Sequence, residues 1–191
     1  TSVLMSMPSA KGLFHRAGVM SGALLRLATA EQAQRGAEAF RKVLGVAKDR
    51  SASLQALPFT QILAAQATME AGDRAKGEAP RSFSPSIDGT TIPGHPFDPA
   101  APEVSAQVPM IVSNVLDERA YRMGNFNLDE AGLRAFIARR LGEDRADQVL
   151  AMYRQDDPKA TPFVLQARFD TDETFRKQAL VQTARKAAQG A

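Results

Sequence analysis

The feature that most constrains this chain is the apolar run Val108-Pro-Met-Ile-Val-Ser-Asn-Val-Leu116, which ends in the acidic pair Asp117-Glu118. A run with no polar alternation predicts a buried strand in a sheet covered on both faces, the pattern of α/β enzymes. In that architecture catalytic groups sit just past the carboxyl ends of the strands. A carboxylate delivered there is placed to orient a histidine. On position alone, a terminal Asp-Glu is more often a solvated strand end.

Along the rest of the chain the signals are mostly helical. Ser2 to Ala10 reads as a helix, and Phe14 to Ser21 as a short strand after a break at Gly12. Thr29 stands three residues before Gln32, a capping-box spacing. Ala33, Ala37, Phe40 and Leu44 then step along one helix face until Gly45 stops it. Ser51 to Met69 reads as two short helices split at Pro58. From Ala71 to Pro109 the composition shifts. Pro80, Pro85, Pro93, Pro96, Pro99 and Pro102 forbid long helices and leave short extended pieces, with a tight turn at Asp88-Gly89.

Beyond the acidic pair, Asn127 and Glu130 frame a capped helix with Leu133, Phe136, Ile137 and Leu141 on one stripe. A second helix is expected around Val149 to Tyr153, a third from Thr161-Pro162, and a fourth near Asp170 that carries Phe175, Ala179 and Leu180 inward. About three strands emerge. The expected division is 1–120 as a partial α/β core, with helical insertions over 29–70 and a Pro-rich extended segment over 71–109, then 121–191 as a helical subdomain.

Composition narrows the function classes. The 24 Lys and Arg against 21 Asp and Glu give a net charge of only +3, scattered in sign, so no basic groove or patch points to nucleic acid or an anionic membrane. With no Cys there is no disulfide framework and no thiol chemistry, which leaves both a cytoplasmic and a secreted or periplasmic setting open. No stretch approaches the ~20 apolar residues of a membrane span. Nothing in the residue pattern calls for a cofactor or a metal.

Four stretches, taken in order, carry a resemblance. They are Leu4-Met-Ser-Met-Pro-Ser-Ala-Lys-Gly-Leu-Phe-His-Arg-Ala-Gly-Val-Met-Ser-Gly22, Phe83-Ser-Pro-Ser-Ile-Asp-Gly89, Gly94-His-Pro-Phe-Asp-Pro-Ala-Ala-Pro102 and Val108 to Glu118. Together they resemble type B carboxylesterases, the cholinesterase-like branch of the α/β-hydrolases, from Thr1 essentially to Ala191. The first is similar to the segment after the nucleophile elbow, the second to the family's Pro-Val-x-Asp-Gly strand, and the last to the strand that ends in the triad acid. The resemblance implies a partial α/β-hydrolase fold with a mostly helical cap or regulatory subdomain over Leu128 to Gly190. A plain helical bundle packed on the sheet is the alternative for those helices.

No Gly-x-Ser-x-Gly occurs in the chain, and the fold orders its triad as Ser, then Asp or Glu, then His. The chain is therefore expected to be an internal piece of a serine esterase, holding the acid but not the nucleophile, the oxyanion loop or the base. The resemblance assigns the acid to Glu118. Neighbouring strand residues face opposite ways, so Asp117 would point elsewhere. Ser21 matches a family serine near the triad that hydrogen-bonds the acid–histidine pair. Tyr121 falls where relatives often place an aromatic lining the gorge, with a surface tyrosine as the equal alternative. Arg81 lies in the segment that shapes the acyl pocket in relatives, although a solvent-facing loop is the better expectation for an arginine.

His15 and His95 both precede the acid, the wrong order for this fold, and are expected to be structural. Met20 stands in place of the family's usual Gln, Gly18 in place of a bulkier residue, and Ser113 in place of Gly. The expected partners are a small-molecule ester and the remaining parts of the same esterase. The competing reading is a noncatalytic, cholinesterase-like adhesion module. Retention of Glu118 in its motif favours the enzyme, and an independently folding helical domain would leave parallel strands with open edges.

Overall fold

A computed structural model describes residues 1–78, 81 and 83–190. Pro80, one of the helix-breaking prolines, and Ala191, the last residue of the expected helical subdomain, lie outside the described residues. Contacts separate the chain into two units, residues 1–6, 10–25 and 96–191 in one and residues 7–9 and 26–95 in the other.

The first unit holds a small sheet. β1 (Ala17–Met20) and β2 (Met110–Ser113) run parallel, with Ala17 opposite Met110 and Met20 opposite Ser113. Among the described residues these are the two strands of the only sheet, one fewer than expected. The extended piece near Ile87 contributes a single bridge between Ala28 and Ser86 instead. The sheet is also not covered on both faces. Ala17 and Met110 pack with Met5, Phe97 and Ala101 on one face, while Met20 and Ile111 on the other are 80% and 75% exposed. The apolar run supplies side chains for two covered faces, and only one has a packing layer among the described residues. The helix predicted from Ser2 to Ala10 is broken as well. α1 (Ser2–Ser6) stops and a 3₁₀ turn (Pro8–Ala10) follows, because Pro8 has no N–H with which to continue the ladder.

Four further helices build the larger core of this unit. α4 (Glu130–Leu141) is capped by Asp129 rather than Asn127, the Asp129 carboxylate accepting from Gly132 N–H. Leu128, just before the cap, joins the cluster anchored by Leu133, the arrangement of a hydrophobic staple. α5 (Glu143–Asp156) is longer than the predicted Val149 to Tyr153. α6 (Pro162–Thr171) starts as expected on a Thr161 cap with proline at the first position. Leu133, Ile137 and Ala138 of α4, Ala146 of α5 and Leu165 and Phe169 of α6 form one buried cluster. From Leu165 to Thr171 every residue of α6 is buried, so it is the central rod of the bundle.

No new helix begins near Asp170. α6 instead continues through a π-turn (Asp172–Arg176) into α7 (Lys177–Ala187). A π-turn inserts one extra residue into the helix and rotates everything after it relative to the α-helical phase. Of the predicted stripe, Ala179 faces inward and Phe175 is half-buried, and Leu180 departs from it. Ala179, Gln182 and Lys186 face inward, whereas Leu180 is 65% exposed. Two members of the α7 stripe are polar: Gln182 donates to Ser2 Oγ at 2.9 Å, and Lys186 Nζ to the carbonyls of Ser105 and Ala106 at 2.9 and 2.8 Å.

The second unit is built on a helical hairpin. α2 (Ala30–Leu44) has the expected capping box, Gln32 N–H donating to Thr29 Oγ1 at 3.2 Å and Thr29 N–H to Gln32 Oε1 at 2.9 Å. It ends at Gly45, whose φ of 67° is the left-handed conformation that favours glycine. A 3₁₀ segment (Lys48–Ala56) and α3 (Phe59–Ala75) flank Pro58, where the split was predicted, though α3 runs past Met69. Phe40 packs with Ala65 and Met69 of α3, and the Phe83 ring meets Phe40 edge-on at 4.8 Å between centroids. Of the predicted α2 stripe, Ala37 is exposed and the neighbouring Gly36 is half-buried.

Candidate active site

β2 ends at Ser113, so Asp117 and Glu118 lie not on the strand but in the turn that follows it, ahead of a 3₁₀ turn (Ala120–Arg122). Strand alternation therefore does not decide which acid faces the site, and the turn does so instead. Ser21 Oγ donates to Glu118 Oε1 in a short hydrogen bond, and Val115 N–H donates to the same oxygen at 2.9 Å. Glu118 Oε2 has no hydrogen-bond partner among the described residues. Asp117 turns toward α6, where its carboxylate accepts from Arg168 Nε at 3.3 Å.

Ser21 follows the last residue of β1 and has a φ of 56°. Left-handed backbone is uncommon for a residue with a Cβ and costs on the order of 1 kcal/mol or more, so it persists only where the surroundings impose it. Two bonds impose it here. Ser21 N–H donates to the Ser113 carbonyl at 2.7 Å, extending the sheet by one rung, and the hydroxyl reaches Glu118. Two of the sequence-predicted site residues, 97 positions apart, are thus brought together at the carboxyl ends of the parallel strands. Tyr121 is not drawn into this pair. Its side chain is 73% exposed, with the Arg122 guanidinium 5.1 Å from the ring centroid.

The turn that carries Glu118 is fastened to α6 on both sides. Arg119 Nε donates to Asp170 Oδ2 at 2.7 Å, and Arg119 N–H donates to Thr171 Oγ1 at 3.2 Å. Asp170 also accepts from Arg140 Nη1 at 2.9 Å, and Arg168 also donates to Asp157 at 3.2 Å. Burial works against the Arg168 charge, but the carboxylates of Asp117 and Asp157 outweigh it and raise its pKa. Asp117 and Asp170 were named from sequence, but not as members of such a network, and Arg119, Arg140, Asp157, Arg168 and Thr171 were not named. A charged pair, Arg168 and Asp170, within a mostly apolar helix beginning at Pro162 was the available signal.

His15 is exposed. His95 Nδ1 accepts from Leu27 N–H at 3.2 Å within its own unit. Arg81, expected in a solvent-facing loop, lies outside any helix or strand and keeps its side chain 37% exposed, but the side chain is tied down at its head. Its guanidinium is forked onto Asp73, which is fully buried, and its backbone N–H donates to the same carboxylate at 3.0 Å. That arginine holds the Asp73 carboxyl down at about 2, against an ordinary 3.8. Among the described residues no cluster of His, Cys, Asp and Glu is arranged to hold a metal, and no helix is long and apolar enough to cross a membrane.

Known proteins share this arrangement of elements. The model of the carboxylesterase family matches residues 1–188. The para-nitrobenzyl esterase of Bacillus subtilis (strain 168) is 30% identical over 117 residues, which is 61% of this chain and 24% of that protein. A solved para-nitrobenzyl esterase structure, 27% identical, aligns over 95% of this chain and 38% of its own, with a TM-score of 0.64. The carboxylesterase of Geobacillus stearothermophilus, 24% identical, aligns over 100% of this chain and 39% of its own at a TM-score of 0.68, a likeness of fold. The chain spans well under half the length of each of these relatives. Its architecture is that of part of an α/β-hydrolase esterase, mostly helical with a small parallel sheet.

Proposed function

The chain belongs to the carboxylesterase family, and from that premise we propose that the whole protein hydrolyses small carboxylic esters through an acyl-enzyme, with Glu118 as the acid of its catalytic triad. A serine attacks the ester carbonyl, a histidine takes its proton and returns it to the leaving alcohol, and the carboxylate holds the imidazole in the useful tautomer. Serine, histidine and oxyanion donors would come from polypeptide outside these 191 residues. The observation that supports this reading is the way Glu118 is held. Both bonds from Ser21 and Val115 fall on Oε1, which leaves Oε2 to accept from an imidazole N–H.

In this reading Ser21 orients the acid, and Tyr121 lines the approach to the site next to it. Residues 1–120 belong to the hydrolase core, and the helices of 121–191 act as a cap over the gorge. The noncatalytic adhesion reading is less well supported, because it gives no reason for a strained Ser21 to be kept against a carboxylate. The experiment is hydrolysis of a short-chain nitrophenyl ester by the full-length protein and its Glu118→Gln variant. Turnover in the parent, lost in the variant with the fold intact, is the expected result. An inactive parent would return the protein to the adhesion class.

A further inference from the structure

We propose that Arg168 and Asp170 of α6 are positioning residues for the Glu118 carboxylate, gripping the residues on either side of it with opposite charges and so fixing the direction in which it points. The inference rests on the reading of Glu118 as the triad acid. Its geometry is a crossed clamp. In the turn the order is acid then base, Asp117 and Arg119, and in the helix it is base then acid, Arg168 and Asp170, with Asp117 on Arg168 and Arg119 on Asp170. Sliding the turn along the helix would bring like charges together, so the pairing selects one register.

These are not surface ion pairs of negligible worth. The side chains of Arg168 and Asp170 are 10% and 4% exposed, and each is held by a second partner, Asp157 for the arginine and Arg140 for the aspartate. A neutral bond completes the clamp: Thr171 Oγ1 accepts from Arg119 N–H while donating to the Ala167 carbonyl at 2.7 Å. Glu118 itself is held by Ser21 and by Val115 of its own turn, which set one carboxylate oxygen. The residues on both sides of it are held by α6, Asp117 through its side chain and Arg119 through both side chain and backbone. Since α6 is the buried rod of the bundle, the direction of the acid is decided by the packing of helices that follow it in the chain.

The test is made in the full-length protein with a nitrophenyl ester, counting competent sites with a phosphylating inhibitor, and with Glu118→Gln as the reference. Arg168→Gln, Asp170→Asn and the more exposed Arg119→Gln should each lower kcat per competent site by about 10- to 10²-fold with KM unchanged, the size of effect that a displacement of about 1 Å has on positioned groups. They should also move the acid limb of kcat/KM to lower pH, because an imidazolium that loses its carboxylate gives up its proton more readily. Arg168→Lys, which keeps the charge, should recover most of the loss. A drop in the number of competent sites with kcat per site and the pH profile unchanged would mean that the clamp serves folding alone, and would overturn the inference. Full turnover in Glu118→Gln would overturn the triad reading and this inference with it.

Discussion

The turn at Asp117–Arg119 and the α2–α3 hairpin hold their charges in opposite ways. In the hairpin the polar contacts are local: Thr29 and Gln32 cap each other across three positions, and Asp73 meets Arg81 across eight. In the turn the decisive partners are remote, Ser21 at 97 positions from Glu118 and α6 at 51 from both Asp117 and Arg119. A local contact forms as soon as its element does and stabilises that element. A remote one forms only when the fold closes, and it can therefore define a site. Groups that must be oriented for chemistry are best held by the second kind, because packed helices move less than a single turn of chain.

That contrast predicts effects of different size and kind. The largest should come from Glu118→Gln, with turnover of the full-length protein lower on the order of 10⁴-fold, as for loss of an orienting carboxylate in the serine-protease template, and with an unchanged circular dichroism spectrum. Next is the rod beneath the turn. Leu133→Ala, in the fully buried cluster of α4 and α6, should cost about 2–5 kcal/mol in urea unfolding, and if α6 positions the acid it should lower turnover too. A hairpin substitution of equal cost that lowered turnover as much would break the comparison.

Ser21 sharpens it further. Ser21→Ala loses the bond to Glu118 while keeping the left-handed strain, and Ser21→Gly loses the bond but relieves the strain. Glycine should therefore be the more stable variant by about 1 kcal/mol, and both should be slower than the parent. In the hairpin the effects should be on stability alone. Because Asp73 is held at about 2 when folded and lies near 3.8 when free, its contribution is present in full above that ordinary value and is lost as the pH falls toward 2. An acid titration of Tm should show that loss in the parent and not in Asp73→Asn. The smallest effect should be that of Thr29→Ala, about 1 kcal/mol or less for an exposed cap, with turnover unaffected.

Several helix starts and stops were legible from short-range signals, although the break at Pro8 was missed. The capping box at Thr29, the glycine stop at Gly45, the split at Pro58 and the Thr161-Pro162 start all stand as read. Where two such signals compete, spacing alone does not choose, and the helix read from Asn127 is capped by Asp129. The π-turn at Asp172–Arg176 was not legible either, since no residue type marks it, and Leu180 beyond it is exposed rather than inward. The apolar run pointed to a strand but not to its length, because apolar residues suit a buried strand and the turn beyond it equally well.

By itself the sequence determined the family to which the chain belongs and the acidic pair as the place to look, and the resemblance to that family pointed to Ser21, since motifs and capping chemistry are written in neighbouring residues. Only the tertiary structure decided that Glu118 lies in a turn rather than on a strand, that Ser21 is strained against it, and that Arg168 and Asp170 of a buried helix fasten that turn on both sides. The reason is physical. Which charges meet across 51 or 97 residues depends on how helices and strands pack, and the packing energy is spread over many apolar side chains, none of which names its partner.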